Sequence, residues 1–149
     1  MSGRERGTAA HELGHQWWYS IVGNDQYREP WLDESAASYA DALVSGGFGY
    51  CRDLRSLPRR SGLRLDASMR YWIPRPDSYD RVVYGFGACT FRRLERQIGA
   101  AAMTRFLRRL VSEHRHGVMT DQDFARTLIQ PAPPGFDARA FLREARAAF

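Results

Sequence analysis

The chain has no lysine. All 22 of its basic residues are arginine. Cysteine is almost as scarce: Cys51 and Cys89 form no CxxC pair, no disulfide framework is required, and two free thiols are the default expectation. No stretch of about 18 consecutive apolar residues occurs, which excludes a membrane-spanning helix of ordinary length. The opening MSGRERG lacks the apolar centre of a secretory signal, so a cytoplasmic location is the default expectation. There is no internal repeat.

What is present suits one folded unit. A chain of 149 residues with 44% hydrophobic content can bury a core, and a single domain over 1–149 is expected. The formal net charge of +5 raises a nucleic-acid reading. However, the arginines of FRRLERQIG and FLRRLVSEHR alternate with apolar residues at helical spacing. That pattern describes a solvated helix face, and no nucleic-acid partner is expected. His114 and His116 stand two positions apart, so one helix would point them away from each other. Helices are expected over Gly87–Ile98, Ala101–His114, Asp121–Gln130 and Ala138–Ala148, with Thr120 and Asp137 as caps and Pro131 to Gly135 as a break. An irregular segment, about 46–80, carries Gly46-Gly47, Pro58, Pro74 and Pro76. The fold class is mainly α.

The chemistry concentrates near the start, in AAHELGHQWWYS, Ala9 to Ser20. A helix from Thr8 to Val22, capped by Thr8 and stopped by Gly23-Asn24-Asp25, would stack His11 and His15 at i and i+4 on one face. Two neutral imidazoles so placed reach one ion at about 2.0–2.1 Å, the usual Zn–N distance. Glu12 lies about 100° round the helix from His11, suited to act on a metal-bound water rather than to ligate. A catalytic zinc takes a third protein ligand, and this helix face offers none. Further on is EPWLDESAASYADAL, Glu29 to Leu43. Asp33 is a candidate cap for a second helix with Glu34 in its first turn, and a helix hairpin over about 8–45 could return Glu34 to the imidazoles. The residues alone leave open whether Glu34 ligates or merely complements the helix dipole.

HELGHQWW followed after eighteen residues by Glu34 within PWLDE resembles the gluzincin metallopeptidases of the aminopeptidase N and leukotriene-hydrolase type. The resemblance implies one zinc per chain held by His11, His15 and Glu34, with Glu12 as the catalytic carboxylate. It also implies the helical half of a thermolysin-like zinc-peptidase catalytic domain. SYDRVVYGFGACTFRRLERQIG, Ser78 to Gly99, is similar to the family segment in which Tyr-x-x-Gly opens a helix. Tyr84, with Gly87 in place, then matches the tyrosine that donates to the oxyanion, and Tyr79 matches a second tyrosine some members carry near the site. Asp41, seven residues after Glu34 on the same helix face, is a candidate to accept a hydrogen bond from a ligand histidine.

Some positions depart from the family pattern. Phe86 stands where relatives commonly have a basic residue, and Ser35 where glycine is common. The Gly-x-Met-Glu-Asn string that anchors a substrate amine in the aminopeptidases is absent from these 149 residues. The reading is therefore a zinc peptidase acting on peptide substrates, aminopeptidase-type in complete form, with the missing upstream half of the catalytic domain as a possible partner. Two other classes stay open: a zinc-binding but inactive remnant, and an Arg-rich binding module in which HExxH is incidental.

Overall fold

The computed structural model describes residues 3–54, 62–130 and 132–145, the side chains of 3–8 and 54 excepted. Helices dominate: α1 (Gly3–Gly14), α2 (Trp31–Ser45), α3 (Cys51–Leu54), α4 (Met69–Trp72) and α5 (Pro76–Tyr79) come first. A π-helical segment, Asp80–Phe86, then leads into α6 (Gly87–Ile98), α7 (Ala100–His114), α8 (Asp121–Ile129) and α9 (Ala138–Ala145). Two short strands, β1 (Val22–Gly23) and β2 (Gly117–Val118), pair in parallel and tie the turn after α1 to the turn after α7. The fold class expected from the sequence, mainly α, is the one the chain adopts.

The later helices follow from their periodicity. In α6, Ala88, Phe91, Leu94 and Ile98 recur every three or four residues and are buried; in α7 the same is true of Ala102, Met103, Phe106 and Leu110. Thr120 accepts from the Asp123 backbone N–H while the Asp123 carboxylate accepts from the Thr120 backbone N–H, closing a capping box at α8. Asp137 accepts from the Ala140 backbone N–H at 2.8 Å and caps α9. The aromatic rings of Trp31, Phe91, Phe124 and Phe106 meet in sequence, at centroid separations of 5.1 Å to 6.4 Å, and join α2, α6, α7 and α8 into one core. Arg96, Arg105 and Arg108 face solvent as the spacing suggested. Arg92 and Arg93 are half-buried instead, stacked over Phe48 and Phe141.

Three expectations need correction. Helix α1 begins before Thr8 and ends at Gly14, so Thr8 is interior and 15–21 turn rather than continue the helix. The wider bonds from the Ser20 N–H to the His15 carbonyl and from the Val22 N–H to the Trp17 carbonyl unwind this stretch toward β1. Helix α2 begins at Trp31 with Pro30 at its cap; Asp33 lies within its first turn and its carboxylate serves other partners. Finally, Cys51 and Cys89 are joined as a disulfide across 38 residues, with Cα atoms 5.4 Å apart. A pair so far apart in sequence leaves no local signature. In the chain-entropy view, closing such a loop stabilises by about 4 kcal/mol. The bond fastens α3 to α6, beside the π-helical segment.

Candidate metal and catalytic site

Helices α1 and α2 pack as an antiparallel hairpin, with Gly14 set tightly against Ala37. Gly14 makes this possible: a Cβ there would stand 2.9 Å from the Ala37 Cα, closer than real contacts allow. The turn between them is pinned by Asp25, whose carboxylate accepts from the backbone N–H groups of Tyr27 and Arg28. The approach brings the first turn of α2 against the end of α1.

At that contact His11, His15 and Glu34 converge. The Nε2 of His11 is 3.0 Å from the Nε2 of His15 and 3.2 Å from the Oε2 of Glu34, and His15 Nε2 is 3.4 Å from the same oxygen. Three donors held about 2.05 Å from one tetrahedral centre stand about 3.3 Å apart, so this triangle has the dimensions of a zinc ligand set. The donor chemistry agrees. The two Nε2 atoms and one carboxylate oxygen face a common point, and each is an atom type that zinc takes as a ligand. Among the described residues, no other group of three His, Cys, Asp or Glu side chains converges in this way.

The supporting groups differ from those the sequence suggested. Ser38 Oγ, one turn beyond Glu34, lies 3.4 Å from His11 Nδ1. Asp41 is a further turn away, and its buried Oδ1 has no hydrogen-bond partner. The expected histidine–Asp41 hydrogen bond is thus not made, because Ser38 meets the ring first; Asp41 still adds a negative charge that His11 feels. His15 Nδ1 faces Asp33 Oδ2 at 3.8 Å. Asp33 is almost wholly buried and is held by donation from Gln26 Nε2 at 2.7 Å and Asn24 Nδ2 at 3.2 Å. Burial raises its pKa, against those two hydrogen bonds. Sequence reading assigned Asp33 to capping; its position one residue before Glu34, on the turn that faces His15, was the available signal.

The electrostatics couple the side chains of His11, His15 and Glu34 to one another. The hydrogen bond to Glu34 holds His11 above the ordinary histidine range, against desolvation. Burial pushes Glu34 up, but hydrogen bonds from His11 and Tyr84 and the charge of His15 leave it below the usual carboxylate range. Tyr84 comes from the π-helical segment. Its ring stacks on His11 at 5.4 Å, and its hydroxyl is near enough to Glu34 to lower that carboxylate's pKa. Burial first, then the Glu34 charge, drives the Tyr84 hydroxyl far above its usual range, so it stays protonated and able to donate. Tyr79 packs edge-on against Tyr84 at 5.6 Å and its pKa is raised in the same way. Glu12 is solvent-exposed one residue round α1, and its charge reaches His11. Phe86 points into the core instead of the site.

Residues 4–143 match the peptidase family M1 domain. The chain belongs to that family. It is 28% identical over 127 residues to the probable M1 family aminopeptidase 1 of Encephalitozoon cuniculi, covering 74% of this chain and 15% of that protein. The Tricorn protease-interacting factor F2 of Thermoplasma volcanium is 26% identical over 123 residues, covering 74% and 16%. Among solved structures, an M1 zinc metallopeptidase of Deinococcus radiodurans bound to a Tyr-Ser-Ala substrate superposes with a TM-score of 0.73 at 23% identity, over 95% of this chain and 32% of that one. The chain thus spans about one sixth of the curated relatives and one third of the structural neighbour.

Proposed function

We propose that this chain is the zinc-carrying helical part of an M1 aminopeptidase-type hydrolase of peptide bonds. The observation that carries the reading is the convergence of His11, His15 and Glu34, with separations of 3.0 Å to 3.4 Å, beneath the Tyr84 ring. His11, His15 and Glu34 would hold one zinc ion, oriented by Ser38 and Asp33. When bound, the metal supplies Lewis acidity, lowering the pKa of water toward about 7 and polarising a carbonyl.

The chain's own residues then divide the proton chemistry. Glu12, free of ligation and exposed, takes the proton of the attacking water and afterwards delivers it to the departing amine. The Tyr84 hydroxyl, kept protonated, donates to the carbonyl oxygen as negative charge develops. Tyr79 packs against Tyr84 and limits its motion.

A peptide amine and an extended backbone need anchors that have no candidate here, such as the Gly-x-Met-Glu-Asn string of complete aminopeptidases. Positioning can lower a barrier by roughly 7–11 kcal/mol. Hydrolysis of an aminoacyl chromogenic substrate by these 149 residues alone should therefore be slow or unmeasurable. Adding the β-sheet half of a catalytic domain, fused or in trans, should restore it, and Glu12→Gln should abolish the restored activity. Turnover that survives Glu12→Gln would defeat the peptidase reading.

A further inference from the structure

Ser35 follows Glu34 in the first turn of α2 and is fully buried. Its Oγ donates to the Val83 carbonyl at 2.7 Å. That carbonyl is unusual because of the register change in which it sits. The π-helical segment Asp80–Phe86 gives way to an α-helix at Gly87, and a change from five-residue to four-residue bonding skips a carbonyl. The Gly87 N–H reaches the carbonyls of Val82 and Tyr84 and passes over the one between them. Val83 is itself wholly buried, so water does not satisfy its carbonyl cheaply.

The packing is equally specific. A Cβ on Gly87 would lie 1.9 Å from the Ser35 Oγ and 2.5 Å from its Cβ, yet 3.4 Å from its Cα. The Ser35 side chain therefore fills the space that the missing side chain of Gly87 leaves. The first turn of α2 thus holds the π-helical segment by the backbone one residue before Tyr84.

We infer that Ser35 is a positioning residue: it takes the carbonyl skipped at the end of the π-helical segment and so fixes the Tyr84 ring over the metal-binding histidines. This rests on the role given to Tyr84 above, and its test needs neither metal nor turnover. In the full chain with isotope-labelled tyrosine and histidine, nuclear Overhauser contacts between the Tyr84 and His11 rings report the ring's place. Amide exchange over Val83–Gly87 reports the backbone. Ser35→Ala removes the donor and leaves a small void. The double variant Ser35→Gly with Gly87→Ala moves the side chain to the other helix, keeping volume without a donor, and it guards against loss of fold. Both variants should weaken the Tyr84–His11 contact and speed exchange of these amides by about tenfold, the scale of one buried hydrogen bond, with zinc content unchanged. In an assembled active enzyme, kcat should fall with little change in KM. Wild-type ring contacts and wild-type exchange in both variants would overturn the inference.

Discussion

The helix hairpin that carries the site and the bundle of α7, α8 and α9 are built by opposite means. Within the hairpin, and where α2 meets the start of α6, the contact residues are small: Gly14 against Ala37, Gly87 against Ser35. They let backbones approach closely, so polar groups such as Asp33, Ser35 and Ser38 meet their partners at fixed distances. In the bundle the contact residues are large, with Phe106, Leu110, Phe124, Leu128, Phe141 and Leu142 buried almost completely. There the fold rests on volume filled and apolar area removed from water. The hairpin should therefore respond to an added methyl group in its metal affinity, and the bundle to a deleted ring in its stability.

Two substitutions separate these behaviours. Phe106→Ala empties a wholly buried site and should cost about 3–5 kcal/mol of unfolding free energy, while the zinc affinity of the fraction still folded stays as in the wild type. Gly14→Ala should cost less, about 1–3 kcal/mol, yet weaken zinc binding clearly, because the new Cβ wedges α1 from α2 next to His15. Denaturant unfolding and zinc titration on both proteins check the pair. Equal losses of stability and affinity in the two variants would erase the distinction.

A smaller effect sits at the seam between the two regions. Asp121, at the start of α8, accepts a hydrogen bond from the Trp31 indole of α2 at 2.6 Å. Burial, then the nearby Glu29 charge, pushes its pKa up to about 7, against that hydrogen bond. The folded chain therefore keeps a proton between about pH 4 and pH 7 that the unfolded chain has released. More protons bound when folded means that stability falls as pH rises through this window. Asp121→Asn keeps an acceptor for Trp31 and removes the titration. Thermal unfolding in steps from pH 4 to pH 7 should show a flatter decline in this variant, with a residual slope from Glu29, whose pKa burial also raises. Parallel curves for the two proteins would rule out this account of Asp121.

The two regions were unequally legible from sequence. The bundle helices could be read to within a few residues, because an amphipathic stripe with Thr120 or Asp137 at its head is a local pattern. At the site, the HExxH pair could be read from its helical spacing, while Glu34 and Tyr84 were candidates only through the family resemblance. The supporting groups were not. Ser38 rather than Asp41 meets His11, since the outcome depends on how far along α2 the ring docks, and no one-dimensional pattern encodes that. Asp33 looked like a cap, since its partners Asn24 and Gln26 come from a turn whose path the sequence leaves open. The Cys51–Cys89 bond and the π-helical turn before Gly87 arise from tertiary packing between segments far apart in the chain.

The central claim is that His11, His15 and Glu34 form one metal site. Its most direct test is the zinc content of the purified chain after exposure to zinc and exhaustive dialysis, measured beside Glu34→Ala and Glu12→Gln. The account predicts about one zinc per wild-type chain, a similar content for Glu12→Gln, and a marked loss for Glu34→Ala. A folded wild-type chain that retains no zinc, or a Glu34→Ala variant that retains it as tightly, would contradict the account.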